Sequence, residues 1–315
     1  MRVDIHAHYQ SKEYIDLLAS LGGNVNPFTR NLPAGGDQAD LDARFQLMKD
    51  AGVEMQVLSV ASDFPYFERE ADAIAASRLA NDLFAGLVTR YPDRFAAFAT
   101  TPLPHVNASL EEMARALDSL GMAGVTVGTS VLGRSLVEPD FEPLYEELNR
   151  RGAVLFVHPA GVGACSPLIQ PYRLTWPIGA PIEDTIAVMH FIQKGIPMRY
   201  PKIKIIISHL GGALPMLLPR LDDHARAFMP EGSERPSIIA RRIWYDTVGH
   251  GHIPALRCAC DSLGADRLLL GSDYPYQKGE QYRRAVSYVQ EAGLPQEDVR
   301  RILDRNAAAL LGLDS

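Results

Sequence analysis

Residues 2–8 read RVDIHAH, and this stretch decides how the rest of the chain is understood. Apolar residues alternate with polar ones, as in a β-strand, and His6 and His8 stand two apart, on one face of it. The next β-branched run is MQVLSVAS (55–62), and six more follow at similar intervals. They are RFAAFATTP (94–102), AGVTVGT (123–129), AVLFVHP (153–159), KIKIIISHLG (202–211), IWYDTVG (243–249) and RLLLGSDYP (267–275). Helical periods lie between them. ADLDARFQLMKDAG sets Leu41, Phe45 and Met48 on one stripe, while ASLEEMARALDSLG and FEPLYEELNRRG both end in a glycine suited to a C-cap. Near-continuous apolar strands alternating with amphipathic helices predict a parallel sheet covered by helices. Eight such units in 315 residues predict a (β/α)8 TIM barrel, one domain over residues 1–315. A doubly wound open sheet is the rival, but no G-x-G-x-x-G follows the first strand. The Gly- and Pro-rich stretch at 21–37 reads as a long loop after strand one, lying over the mouth of the barrel.

Composition narrows the function. A formal net charge of -7 argues against nucleic-acid and anionic-membrane partners, which call for a basic face. No apolar run approaches the roughly 20 residues that span a bilayer, and no leader peptide is evident, so the cytoplasm is the expected location. Cys165, Cys258 and Cys260 form neither a disulfide framework nor a thiolate cage, and read as small buried apolar residues. A metal, if held, must be held by histidine and carboxylate.

The barrel frame brings those residues together. His6 and His8 close strand one, His158 closes strand five, His209 strand six and Asp273 strand eight. Barrel active sites lie at the C-terminal ends of the strands, so the five converge on one mouth. His6, His8, His158 and Asp273 suffice for one divalent ion with a position left open. His209 is then left as a base or electrostatic group. Strand four, AGVTVGT, has no lysine that could bridge to a second metal, and Lys204 starts strand six at the wrong end. Asp246 and Asp4 are expected to orient ligand histidines, Asp4 from the strand face that His6 and His8 share. His250 and His252 follow strand seven; either one touches substrate or both are surface residues. His190 reads as core or helix surface, and His105 and His224 have no role.

DIHAH, FVHP, SHLGGALP and GSDYP, in this order, resemble the amidohydrolase superfamily, and within it the branch of aminocarboxymuconate semialdehyde and aryl-acid decarboxylases such as methylsalicylate decarboxylase. The similarity runs from Met1 to the NAAALLGL tail. It implies that His6, His8, His158 and Asp273 hold the metal and that His209 does acid–base chemistry. It further implies that Trp176, in the loop after strand five, lines the substrate pocket. Arg220, eleven residues past His209, matches an arginine that crosses a dimer interface to bind substrate carboxylate, so a homodimer is implied. Two features set this chain apart from relatives in the branch. The semialdehyde decarboxylase carries a substrate arginine in a longer insertion after strand one, where this chain has only Arg30 in a different context. Some aryl decarboxylases of the branch have E-x-H where this chain has H-x-H.

The expected activity is a metal-dependent, non-oxidative decarboxylation of a small aromatic (hydroxybenzoate-like) or muconate-like acid, with the proton delivered by His209 or by protonated Asp273. One divalent metal, zinc or else manganese, is the only cofactor expected. The same site could instead hydrolyse an amide, lactone or carbon–carbon bond, or hydrate a double bond. A non-catalytic binding protein is the third reading, and the complete ligand set counts against it.

Overall fold

The computed structural model describes residues 1–313, apart from residues 24, 27, 28, 30, 31 and 33–36. Among the described residues, eight parallel strands form one sheet in chain order. They are β1 Val3–His8, β2 Met55–Ser59, β3 Phe95–Ala99, β4 Gly124–Gly128, β5 Val154–His158, β6 Lys204–Ile207, β7 Trp244–Asp246 and β8 Leu268–Leu269. The first strand meets the last through a parallel bridge between Ala7 and Tyr274. Backbone bonds from Ile5 N–H to the Leu270 carbonyl (2.8 Å) and from Asp273 N–H to the His6 carbonyl (2.8 Å) complete the closure. The predicted barrel is therefore present. A short antiparallel hairpin, Ser130–Val131 with Arg134–Ser135, follows β4.

The longer helices are α1 Lys12–Ser20, α2 Gln38–Ala51, α3 Glu70–Arg90, α4 Val106–Ala114, α5 Glu142–Arg151, α6 Ala180–Gln193, α7 Leu214–Phe228, α8 Ile253–Leu263 and α9 Glu280–Glu291. Of the two expected caps, Gly152 adopts left-handed backbone just past α5, while Gly121, also at positive φ, follows the wider helical turn Arg115–Ser119 that continues α4. One apolar cluster of Val3, Ile5, Val57, Phe98, Phe156, Ile206 and Leu269 fills the strands' inner side, joined by Ala307 and Ala308 of the C-terminal helical turn. Burial of this apolar surface is what closes the barrel around the polar mouth.

Four expectations need correction. Strands β6 and β8 are shorter than the apolar runs, so His209 and Asp273 stand on turns beyond them, with φ of 51° and 61°. A helix, α1, intervenes between β1 and the loop expected at 21–37, and much of that loop, with Arg30, lies outside the described residues. Cys165 is exposed while Cys258 and Cys260 are half-buried, because their helix presents them beside, not on, the buried stripe of Leu256, Ala259 and Leu263. Asp4 does not share a face with His6. The β1–β2 register shifts between Asp4 and Ala7, a bulge that breaks the alternation. Asp4 turns instead to Gln56, whose amide also meets the Tyr282 hydroxyl of α9, on the helical side.

Candidate metal centre and active site

The bulge delivers His6 and His8 to the inside of the mouth, edge to face with their ring centroids 4.9 Å apart. Their Nε2 atoms lie 3.0 Å from each other, and 3.4 and 3.3 Å from Asp273 Oδ1. His158 arrives from β5, its ring 5.1 Å from His6 and 4.8 Å from His8. One ligand atom from each of His6, His8, His158 and Asp273 falls within 4.8 Å of the others, and all four residues are buried.

The fit to a metal can be judged from the other side of each ring. His6 Nδ1–H donates to Asp246 Oδ2 at 2.6 Å, His158 Nδ1–H to the Pro159 carbonyl at 3.1 Å, and His8 Nδ1 faces the Ser59 carbonyl and hydroxyl at 3.4 and 3.2 Å. With Nδ1 committed, the Nε2 lone pairs are left to the centre. Metal–nitrogen bonds of about 2.0 Å in a tetrahedral site put ligand atoms about 3.3 Å apart. The spacings between His6, His8 and Asp273 match that, so these residues fit a divalent ion.

Electrostatics sort the group. Burial lowers the tendency of His8 to take a proton, and pushes His158 far down, helped by the neighbouring imidazoles. Burial acts on His6 too, but the charge and hydrogen bond of Asp246 outweigh it and raise its pKa to about 9. His209 behaves likewise. Burial opposes its charge, yet Asp184, whose Oδ2 is 2.9 Å from Nδ1, and Asp273 hold its pKa well above the ordinary histidine value. Its Nε2 lies 3.9 Å from Asp273 Oδ2. Asp273 is held well below the usual carboxylate range by His209, His6 and His8, against the effect of burial.

Turns place these groups as much as strands do. Asp246 accepts from the backbone N–H of His209 and of Val248, both at 2.9 Å, tying the β6 turn to β7. Asp4, its pKa raised to about 6 by burial, accepts from the Ser272 N–H at 2.9 Å and hydroxyl at 2.6 Å, fixing the backbone next to Asp273. Gly271 is needed beside it: a Cβ there would sit 2.9 Å from that of Asp246 and 3.0 Å from that of His6.

The structure thus brings together five of the residues singled out from sequence and puts Asp246 where expected. Trp176 lies half-buried in the turn Thr175–Gly179 before α6, its indole against Gly161 just past β5. His250 is exposed on a left-handed turn after β7, close enough to feel the charges of Asp273 and His209. Arg220 is exposed on α7, away from any ion pair among the described residues. His190 meets the Ser135 hydroxyl, His105 the Phe67 carbonyl and His224 the Arg220 carbonyl, all apart from the metal cluster. Asp184 was missed by sequence reasoning. Its signal is faint: two acids, Glu183 and Asp184, open an otherwise apolar helix.

The amidohydrolase family matches residues 3–313. The chain belongs to that family. Among curated relatives, the amidohydrolase is 29% identical over 282 residues to a 2-amino-3-carboxymuconate-6-semialdehyde decarboxylase of Dictyostelium discoideum, covering 87% of this chain and 77% of that one. It is 28% identical to the 6-methylsalicylic acid decarboxylase of Penicillium expansum, covering 98% and 94%. A dihydroxybenzoic acid decarboxylase from Polaromonas sp. JS666, solved with bound manganese, superposes with a TM-score of 0.82 at 23% identity, over 100% of this chain and 97% of that one. That likeness concerns the fold.

Proposed function

We propose that this amidohydrolase is a metal-dependent, non-oxidative decarboxylase of a small aromatic, hydroxybenzoate-like or muconate-like carboxylic acid. The observation that carries the reading is the pairing of the His6, His8, His158 and Asp273 cluster with His209 at its edge, its Nδ1 engaged by Asp184 and its pKa raised by that carboxylate. The relatives named above act on acids of this kind.

His6, His8, His158 and Asp273 would hold a divalent ion, which would supply Lewis-acid stabilisation of the charge that develops as carbon dioxide leaves. The carbon–carbon bond breaks, its electron pair stays on the substrate carbon, and a proton must arrive there. His209 supplies it from Nε2, because Asp184 engages Nδ1 and so aims Nε2 inward. Asp273 is the weaker candidate, since its proton is lost far below neutral pH. Solvent then reprotonates His209. Trp176 forms a wall for the substrate ring, and His250 lies at the rim to meet its polar groups.

Zinc suits the three-histidine, one-carboxylate set, and manganese accepts the same ligands. Arg220 is assigned to substrate carboxylate across a homodimer. Met216, 70% exposed, stands one turn before it on the same face of α7, and Leu168 and Tyr172 of the loop after β5 are 74% and 69% exposed. No helix among the described residues is long and apolar enough to cross a membrane, and with three free cysteines we place the enzyme in the cytoplasm.

The test is to strip the protein of metal, reload it with zinc or manganese, and screen hydroxybenzoates and muconate-type acids for released carbon dioxide. Metal-dependent release supports the reading. Silence across the acids, with turnover of an ester, amide or carbon–carbon substrate, makes the site a hydrolase instead. Arg220→Ala should raise KM roughly tenfold if it binds carboxylate; an unchanged KM removes the shared site.

A further inference from the structure

Near its start, α6 carries two adjacent buried carboxylates, Glu183 and Asp184. They serve different elements. Asp184 accepts from the Ser208 hydroxyl at 2.8 Å and engages His209, so it holds the β6 turn. Glu183 holds the loop that leaves β5 straight after His158. Its Oε2 accepts from the Thr129 hydroxyl (2.8 Å) and from the N–H groups of Ala160 (2.8 Å) and Gly161 (3.1 Å). Its Oε1 accepts from the Gly163 N–H at 2.7 Å. Four donors converge on one carboxylate, an arrangement that ties the loop far more firmly than neutral contacts would.

That loop is tightly wound, with Gly161, Gly163, Ala164 and Cys165 all at positive φ. The indole of Trp176 rests directly on it. A Cβ at Gly161 would sit 2.7 Å from Trp176 Cη2, and one at Gly179 would sit 2.7 Å from Gly163 Cα. The backbone that Glu183 grips is therefore the backbone that seats the indole.

We propose that Glu183 is a positioning residue for Trp176: through the 160–163 backbone it sets the substrate wall, while its neighbour Asp184 sets the proton donor. One helix turn then governs substrate fit and proton delivery separately. The proposal rests on the reading that Trp176 faces substrate, but its central readout does not require turnover. The chain has two tryptophans, so Trp244→Phe, excited where tyrosine does not absorb, leaves Trp176 as the sole tryptophan emitter. In that background Glu183→Gln turns one oxygen into an amide that faces N–H donors. Trp176 emission should shift to the red and its acrylamide quenching should rise about twofold. In the metal-loaded enzyme KM should rise roughly tenfold with kcat within a factor of about three, and metal content should stay unchanged. Asp184→Asn should do the reverse, lowering kcat and leaving the emission as it was.

Unchanged emission and quenching in Glu183→Gln overturn the proposal, as does an equal emission change in Asp184→Asn. Should Glu183→Gln fail to fold, Thr129→Val removes one of the four donors and should move the emission the same way by less. No movement there overturns it too. If no acid is turned over yet the emission moves as described, the decarboxylase reading fails and the positioning role stands.

Discussion

Strands β1 and β8 each supply the metal cluster, and they do so in opposite ways. β1 runs six residues and presents His6 and His8 from inside its own ladder. β8 is two residues long, and its ligand Asp273 comes four residues later, from a turn at positive φ. A strand ligand inherits its direction from the pleat and the bulge. A turn ligand needs its backbone pinned, and Asp4 does this through Ser272. The lesson is that β1 places its ligand backbone through its own ladder while the β8 turn borrows its backbone geometry from β1.

The largest effect should come from removing a ligand itself. Asp273→Ala should lose bound metal on dialysis and lower turnover by roughly a thousandfold or more; metal analysis showing a full complement would remove Asp273 from the ligand set. Next comes the borrowed geometry. Asp4→Asn should weaken metal binding about 10-fold to 100-fold in a chelator competition, although Asp4 touches no metal position. An affinity equal to wild type would mean that the β8 turn holds its own shape, and the contrast with β1 would fall. The smallest effect is in proton balance. Asp246 holds His6 at a pKa of about 9, so the metal-free protein keeps a proton there at pH 7. Because the raised value lies above neutrality, metal must displace that proton, and affinity should climb as pH rises from 7 toward 9. Calorimetry in buffers of different ionisation heat should find close to one proton released. None released would place that proton elsewhere.

The same contrast explains what could be read from sequence. The barrel was legible because β-branched runs and helical stripes alternate eight times, a pattern carried by composition at each local stretch. His6 and His8 were legible from their spacing. His158, His209 and Asp273 followed because each stands at or just beyond the end of an apolar run. The bulge at Asp4 was not legible, since one residue's change of register leaves no mark in residue types and here reverses which face Asp4 takes. Asp184 was hidden for another reason: a carboxylate near the start of a helix ordinarily reads as a response to the helix dipole. Only the fold shows that it reaches His209 instead. Trp176 and Arg220 came from family resemblance, and nothing in their local sequence would single them out.

The most direct test compares His209→Ala with the wild-type enzyme, both loaded with metal, on an acid that the wild type decarboxylates. The account predicts a full metal complement and release of carbon dioxide reduced by about a hundredfold to ten-thousandfold, because the ligands are intact and the proton donor is gone. Retained release would contradict the assignment of the proton to His209.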